Sequence, residues 1–257
     1  MTELRAVTFD FWNTLVREDR AGLRPRRIEA WLGLFEGEGI ALERERLDDA
    51  FASTWDEFDR HWRANRAAFG AEQAVDHVLG ELGHEPPDDV RQALVEVLTD
   101  PPVVHDPLPT ANIGRCLAAL KAAGLRIGII CDVGLTPSRT LRRYLGAHGL
   151  LDSFDHWSFS DEVGVFKPDP VIFSHALGGL GIDHPSQAAH VGDLRRTDVA
   201  GANAMGMTSV RYTGVFDDPG AQGDPPIEAD HVVADHADLA TILGLSGSRC
   251  AAADEEG

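Results

Sequence analysis

The sequence predicts an α/β protein whose doubly wound parallel sheet carries an inserted, all-helical segment. From residue 106 onwards, short apolar strand patterns alternate with helix patterns, which is typical of βαβ units. A first strand at 5–9 is separated from these units by about 90 residues with helical spacing, far more than a normal connection. Those residues are therefore expected to form a small domain of their own over the carboxyl edge of the sheet.

The first predicted strand, residues 5–9, reads Arg-Ala-Val-Thr-Phe and ends at Asp10. Apolar positions then recur every three or four residues, which is a helical period. Breaks in this pattern fall at 37–39, at Gly70 and at 86–87, where Gly or Pro residues occur. The segment is therefore predicted to contain about four helices.

The chain after a Pro-rich linker at 101–109 predicts the rest of the sheet and its covering helices. The elements follow as a helix at 110–123, a strand at 125–131, a helix at 137–147, a strand at 157–160, a helix from Pro168 to 180, a strand at 188–191, a helix ending near 205, and strands at 208–210 and 231–233. Gly124 suits the end of the first helix and Pro168 the start of a later one. Residues 1–16 and 106–245 are thus assigned to the α/β core, 17–105 to the helical domain, and 246–257 to a disordered tail.

Bulk composition argues against several classes of function. The 257 residues carry a formal net charge of −19, and the pI is about 4.8. Such a surface repels nucleic acid and anionic membranes, so neither is an expected partner. No apolar stretch approaches the roughly 20 residues of a membrane span, no signal peptide is recognised, and the three cysteines lack paired spacing. A cytoplasmic protein with a small-molecule substrate is expected, and its oligomeric state is left open.

Charged and polar side chains stand where the predicted strands end. They are Asp10, Cys131, Asp132, Lys167, Asp193 and Asp198. Each alone has an ordinary explanation in a turn, a helix cap or a solvated surface. The carboxyl ends of parallel strands share one crevice, however, so the whole set is expected to converge. Asp10, Asp193 and Asp198 could then surround one Mg²⁺, which prefers oxygen ligands, while Lys167 could offset their charge and hold an anion.

These ordered motifs resemble those of the haloacid dehalogenase (HAD) superfamily over nearly the whole chain. Members of that family, mostly phosphatases and phosphotransferases, combine a Rossmann-like core with a cap inserted after the first motif. Their motifs run Asp-x-Asp-x-Thr, then Ser or Thr, then Lys, then Gly-Asp with a second acid four or five residues further on. The resemblance implies a Mg²⁺-dependent hydrolase whose helical cap, residues 17–105, opens and closes over the site.

The same resemblance implies a role for each matching residue. Asp10 would be the nucleophile that forms an aspartyl-phosphate, and Lys167 would hold both the nucleophile and the phosphoryl group. The implied Mg²⁺ ligands are Asp10, the backbone carbonyl of Trp12, Asp193 and Asp198. The implied contacts to substrate are Thr14, Cys131, Asp132 and Lys167.

Two residues depart from the family pattern. The second Asp of the first motif, a general acid/base, is Trp12 here, and its loss would remove an effect of typically ~10²–10⁴-fold in rate. Leaving groups that need little protonation, as in acyl or aryl phosphates, are therefore expected to be preferred. The Ser or Thr of the second motif is Cys131, and because a thiol is a weak donor, backbone N–H groups would have to contact the phosphate.

Three functions remain open at this point. A phosphatase is favoured, because without a cation three carboxylates would repel one another. A 2-haloacid dehalogenase is the first alternative, since such enzymes have an aromatic residue at the Trp12 position. A non-catalytic binding protein is the second, because Trp12 and Cys131 both depart from the pattern. A phosphonoacetaldehyde hydrolase is disfavoured, since it would need a Lys in the cap and 17–105 contains none.

Cap residues that could set specificity are less well defined by the sequence. Arg24, Arg26 and Arg27 could bind a substrate anion, but a solvated basic face is the favoured interpretation. Whether the segment from His61 to Arg66 faces the site is left open.

Overall fold

A six-stranded parallel sheet forms the centre of the molecule in a computed structural model, which describes residues 3–17, 23–65, 69–100, 107–220 and 227–245. The strands among these residues are β1 (Ala6–Phe9), β2 (Val16–Arg17), β3 (Leu108–Pro109), β4 (Arg126–Cys131), β5 (His156–Phe159), β6 (Ala188–Gly192), β7 (Thr208–Tyr212) and β8 (His231–Val233). Strands β1, β4 and β6 are almost entirely buried apolar runs, as expected of parallel strands covered on both faces.

The strands of the large sheet lie in the order β5-β4-β1-β6-β7-β8, and every neighbouring pair is parallel. Counted along the chain, this is the order 3-2-1-4-5-6 of a Rossmann-like sheet. The chain winds outwards from β1 in both directions, so the ligand crevice of this fold lies at the carboxyl ends of β1 and β6. The predicted α/β fold class is confirmed.

Four helices lie between β2 and β3 and are called the helical insertion below. They are α1 (Leu23–Gly37), α2 (Arg44–Asn65), α3 (Ala71–Leu82) and α4 (Asp88–Thr99). Their apolar faces share a buried cluster that includes Trp31, Phe35 and Leu94. Leu135 and Phe166 of the α/β core belong to the same cluster, so the insertion packs directly on the core. Its independence as a domain over 17–105 stays a prediction.

The α/β core has helices on both faces of the sheet. They are α5 (Ile113–Ala122), α6 (Ser138–Ala147), α7 (Ser160–Val163), α8 (Pro170–Gly179), α9 (Ala200–Met205) and α10 (Leu239–Ile242). Helices α5, α6 and α10 contribute to one apolar cluster, and α8 and α9 to another. This two-sided arrangement leaves the ends of the strands, rather than the faces of the sheet, available for a site.

Three details of the fold differ from the prediction. Strand β3 pairs antiparallel with β2 inside the region predicted as a linker, of which 101–106 lies outside the described residues. The helix predicted from Pro168 begins at Pro170, because the Asp169 carboxylate accepts the Val171 N–H at 2.9 Å and caps the helix there. The short helix α7 was not predicted, since four residues carry no periodicity. The tail at 246–257 lies outside the described residues.

Among the described residues, we find no helix with both the length and the apolar character needed to cross a membrane.

Candidate active site

Asp10 lies directly after β1, between the neighbouring strands β4 and β6. Its backbone N–H donates to Val191 O at 2.8 Å, which extends the pairing of β1 with β6 by one residue. Only 7% of its surface is exposed. Burial raises the pKa of Asp10 to about 6, because the nearby Lys167 ammonium only partly offsets the loss of hydration.

Lys167 occupies the centre of the candidate site. Its Nζ donates to Asp10 Oδ1 at 2.5 Å and to Asp198 Oδ1 at 2.6 Å, and the side chain is 2% exposed. Burial lowers the pKa of this amine, but the surrounding carboxylates raise it by more, so Lys167 stays protonated. The segment after β5 thus places a fixed positive charge against Asp10.

The loop after β6 supplies the two remaining acids. A Cβ atom on Gly192 would lie 2.3 Å from Asp198 Cγ, so only glycine allows this close approach. A π-helical turn at Arg195–Val199 then brings the Asp198 Oδ2 within 3.0 Å of the Leu194 N–H. Burial would raise the pKa of Asp198, but Lys167 and a hydrogen bond with His190 lower it well below its usual range.

Asp193 is held on the other side of the cluster by Asn13. The Asn13 Nδ2 donates to Asp193 Oδ2 at 3.0 Å. Asn13 has a φ of 59°, a conformation that Asn adopts more readily than most residues. Burial, with the like charges of Asp10 and Asp198, raises the pKa of Asp193 to about 8.

The three carboxylates form a group whose chemistry fits a divalent cation. Asp10, Asp193 and Asp198 each offer an oxygen, and these oxygens lie within 4.8 Å of one another. The raised pKa values of Asp10 and Asp193 show that a single lysine does not compensate the buried negative charge. An oxygen-only donor set of this kind suits Mg²⁺.

Trp12 and Asp132 border the space in front of Asp10. Both line a cavity of about 300 Å³ that also contains Asp10, Lys167 and the acids after β6. The Asp132 Oδ1 accepts the Lys167 backbone N–H at 2.7 Å. Burial raises the pKa of Asp132 to about 7, although the Lys167 charge acts against it.

The other two predicted substrate contacts are buried and are not among the residues that line this cavity. Cys131 is fully buried in the apolar cluster beneath α5 and α6, and Thr14 is fully buried in the loop after β1. Burial and the nearby Asp10 charge raise the pKa of the Cys131 thiol well above its usual range. The Thr14 carbonyl accepts hydrogen bonds from Thr110 Oγ1 and His236 Nε2 at 2.7 and 2.8 Å. Neither residue lines the cavity, and their contact with substrate stays a prediction.

Two side chains of the helical insertion, Asp59 and Trp62, contact the α/β core beside this cavity. Trp62 Nε1 donates to the Lys167 carbonyl at 2.7 Å, and Arg196 stacks on the Trp62 ring at 4.5 Å. Arg196 also pairs with Asp59 at 2.7 Å. Of the segment whose orientation the sequence left open, Trp62 therefore borders the site, whereas His61 and Arg63 do not line the cavity and Arg66 lies outside the described residues.

The arginines at the start of α1 divide into two groups. Arg24 and Arg27 line a second cavity, of about 610 Å³, while Arg26 does not. Arg24 pairs with Asp48 at 2.9 Å. Arg27 is 6% exposed and donates to Leu98 O and Thr136 Oγ1. A solvated basic face, the interpretation favoured by the sequence, does not describe Arg27.

Two buried histidines that the sequence did not single out support the site. His190 on β6 lies between Thr8 Oγ1 and Asp198 Oδ1, at 2.9 and 3.0 Å. His236 holds the loop that follows Asp10 through the Thr14 carbonyl and stacks on Tyr212, with ring centroids 4.1 Å apart. No local pattern marks either residue, since the contacts of His190 with Thr8 and of His236 with Thr14 join distant parts of the chain.

We expect His236 to make the protein less stable as the pH falls from about 6.5 to about 4. Burial lowers the pKa of His236 from 6.5 to about 4, so the unfolded chain takes up this proton first. The resulting loss approaches roughly 3 kcal/mol of unfolding free energy at pH 4. Urea unfolding of wild type and His236→Asn at several pH values measures it. Between pH 6.5 and 4, the unfolding free energy of His236→Asn should depend less steeply on pH than that of wild type. The exposed control His184→Asn should show the wild-type pH dependence. The same pH dependence in all three proteins would contradict this assignment.

Comparison with known proteins identifies the family. A family model described as haloacid dehalogenase-like hydrolase matches residues 4–206. A glyceraldehyde 3-phosphate phosphatase of Methanothermobacter thermautotrophicus is 28% identical over 95% of this chain and 97% of its own. A (S)-2-haloacid dehalogenase of a Pseudomonas species is 26% identical over 82% and 85%. The crystal structure of a HAD phosphatase from Thermococcus onnurineus covers 94% of this chain and 98% of its own with a TM-score of 0.62 and 24% identity, which supports the fold. The chain therefore belongs to the haloacid dehalogenase-like hydrolases.

Proposed function

We propose that the protein is a Mg²⁺-dependent phosphatase that acts on a small-molecule phosphate through Asp10. The observation that carries the proposal is the buried pair of Asp10 and Lys167 beside two further carboxylates. A nucleophile, a fixed positive charge and an oxygen donor set are the parts that phosphoryl transfer requires. The similarity to glyceraldehyde 3-phosphate phosphatases over nearly the full length supports the same reaction class.

In the proposed reaction, an Asp10 carboxylate oxygen attacks the substrate phosphorus while the bond from phosphorus to the leaving oxygen breaks. Lys167 keeps Asp10 oriented and stabilises charge on the phosphoryl oxygens. Asp10, Asp193 and Asp198, with the Trp12 carbonyl, would hold Mg²⁺, which would supply further positive charge at the phosphoryl group. Water then hydrolyses the aspartyl-phosphate and regenerates Asp10. Trp62 of the helical insertion and Arg196 of the core line the cavity and stack on each other, and this pair would limit access of bulk water.

For leaving groups that need a proton, we propose Asp132 as the donor in place of the acid that is missing at position 12. Trp12 has no carboxyl group, but Asp132 lines the same cavity and its pKa is raised to about 7. We expect Asp132→Asn to lower kcat by roughly 10²-fold on an alkyl phosphate such as glycerol phosphate. On p-nitrophenyl phosphate, whose leaving group needs no proton, the loss should be much smaller. Equal losses on both substrates would mean that Asp132 only positions Lys167 through the backbone contact.

A dehalogenase is the second candidate, because a (S)-2-haloacid dehalogenase is among the relatives and an aromatic residue occupies position 12. The cluster of Asp10, Asp193 and Asp198 argues against a dehalogenase, because attack of the nucleophile on carbon does not require a bound cation. A non-catalytic binding protein would keep the same cluster without turnover. The cytoplasmic location stays a prediction, and the oligomeric state stays open.

The deciding experiment is release of phosphate from p-nitrophenyl phosphate and acetyl phosphate, with Mg²⁺ and with EDTA. We expect turnover with Mg²⁺ and a loss of at least about 10²-fold with EDTA, because the buried acids then lack a compensating cation. Release of chloride from 2-chloropropionate in EDTA would instead establish dehalogenation. Absence of both activities, together with a Mg²⁺-dependent rise in melting temperature, would favour the binding role.

A further inference from the structure

The second cavity adjoins the candidate active site. It measures about 610 Å³, against about 300 Å³ for the cavity at Asp10. The two share Trp12, Asn13, Phe58 and Asp132 in their walls. A phosphate bound against Asp10 would therefore have its ester group directed toward a space twice as large as the one that holds the phosphate.

Half of the residues that line this second cavity are aromatic or aliphatic. The apolar side chains that line it are Trp12, Leu23, Phe51, Trp55, Phe58 and Leu135. Trp55 remains 48% exposed, an unusual exposure for a large apolar side chain, and its ring packs edge-to-face on Phe58 at 5.8 Å. A surface of this kind gains free energy when an apolar ligand covers it.

Five polar side chains also line the cavity, and each already has a partner within the protein: Asn13, Arg24, Arg27, Asp132 and Thr136. The Arg27 guanidinium is held by the Leu98 carbonyl and the Thr136 hydroxyl, at 2.8 and 2.9 Å. A hydroxyl group placed against the rings of Phe51, Trp55 and Phe58 would find no partner there, which is costly. A ring with one or two acceptors would satisfy the cavity better, since the fixed guanidinium could orient it.

We propose that the second cavity binds the leaving group of the substrate and that this group is an aryl group that departs as a phenol. The proposal rests on the proposed phosphatase function and names its substrate class. It differs from the small triose phosphate named for the relatives. Trp12 supports it, because its ring forms part of the aromatic wall of this cavity.

The reaction balances without an added acid. The bond between Asp10 oxygen and phosphorus forms while the bond between phosphorus and the aryl oxygen breaks, and the electron pair leaves with the aryloxide. A phenol is acidic enough to depart as the anion and take a proton from solvent afterwards. Water then attacks the aspartyl-phosphate at phosphorus, which releases inorganic phosphate and restores the Asp10 carboxylate.

Binding of stable phosphonates tests the proposal separately from turnover. We expect benzylphosphonate to bind the Mg²⁺-loaded protein at least about tenfold more tightly than methylphosphonate, by calorimetry. A Cβ on Gly134 would point at the Trp55 ring from 3.5 Å, so Gly134→Leu should fill the cavity and bring this ratio close to one. Trp55→Ala removes an aromatic ring from the cavity wall and should also lower the ratio of benzylphosphonate to methylphosphonate affinity. Gly33→Leu, a matched change at an exposed helical site with open space around it, should keep it.

The outcomes separate the two proposals. Equal binding of the two phosphonates to wild type, or a ratio that survives both cavity variants, would overturn the aryl leaving group and leave the phosphatase intact. Failure of methylphosphonate and inorganic phosphate to bind, with no phosphate released from any ester, would overturn both proposals. A ratio lost in both cavity variants and kept in Gly33→Leu would support the proposed substrate class.

Discussion

Asp10→Asn should reduce phosphate release by at least about 10⁴-fold, because the amide cannot form the aspartyl-phosphate. The protein should still fold, since the new amide keeps a carbonyl oxygen that accepts from Lys167, and the pair of Lys167 with Asp198 at 2.6 Å is untouched. The measurement is the initial rate on p-nitrophenyl phosphate at saturating Mg²⁺, together with the melting temperature. We expect a smaller rise of melting temperature on Mg²⁺ addition than in wild type, because one ligand has lost its charge.

Asp76→Asn provides the matched control for this variant. Asp76 is a surface acid on α3 whose partner is Arg91, at 2.7 Å. The same chemical change there should leave both the rate and the response to Mg²⁺ at wild-type levels. Residual turnover of Asp10→Asn above about 1% of wild type would mean that another residue is the nucleophile, and the proposed chemistry would then be wrong.

The sheet was predictable because its parallel strands are buried on both faces. Strands β4 and β6 read as continuous apolar runs between turn residues, and the structure places them within one residue of the predicted bounds. The short ribbon of β2 and β3 left no such signal, since two paired residues have no period. The π-helical turn at Arg195–Val199 was equally hidden, because it depends on the contact between Asp198 and the Leu194 N–H.

The site was predictable only where topology decides position. Asp10, Lys167, Asp193 and Asp198 meet because each follows a strand that ends at the same edge of the sheet. Residues that support them gave no signal in the sequence. His236, for example, reaches the Thr14 carbonyl across 222 positions, a contact that only the folded chain brings about.

Strand geometry also predicts that the side chains of Cys131 and Asp132 point to opposite sides, which the motif pattern does not. Successive side chains of an extended chain point to opposite sides, so two adjacent residues at a strand end cannot both face the crevice. Here Asp132 lines the cavity, and Cys131 packs into the apolar cluster. Both residues are predicted substrate contacts, and the structure brings only Asp132 to the cavity.

Lys167→Met should lower the free energy of unfolding by about 3–5 kcal/mol in EDTA, the cost typical of breaking a buried ion pair from one side. The methionine fills a similar volume but leaves Asp10 and Asp198 buried without their shared cation. Urea unfolding measures the loss. Turnover should disappear as well, since the phosphoryl group loses its fixed positive charge. Lys121→Met is the matched control, because Lys121 pairs with Asp155 at a side chain 39% exposed, where such pairs contribute at most about 1 kcal/mol.

The cause of the lower stability of Lys167→Met can be tested by removing the negative charge of Asp10, which has lost its partner in this variant. If the loss in Lys167→Met comes from uncompensated carboxylates, then adding Asp10→Asn to it should restore stability, and the double variant should be more stable than the sum of the single changes by about 1–3 kcal/mol. Mg²⁺ should also recover part of the loss in Lys167→Met, since it supplies charge to the same acids. Additive effects, with no response to Mg²⁺, would show that Lys167 stabilises the fold by packing, and the electrostatic account of the site would have to be abandoned.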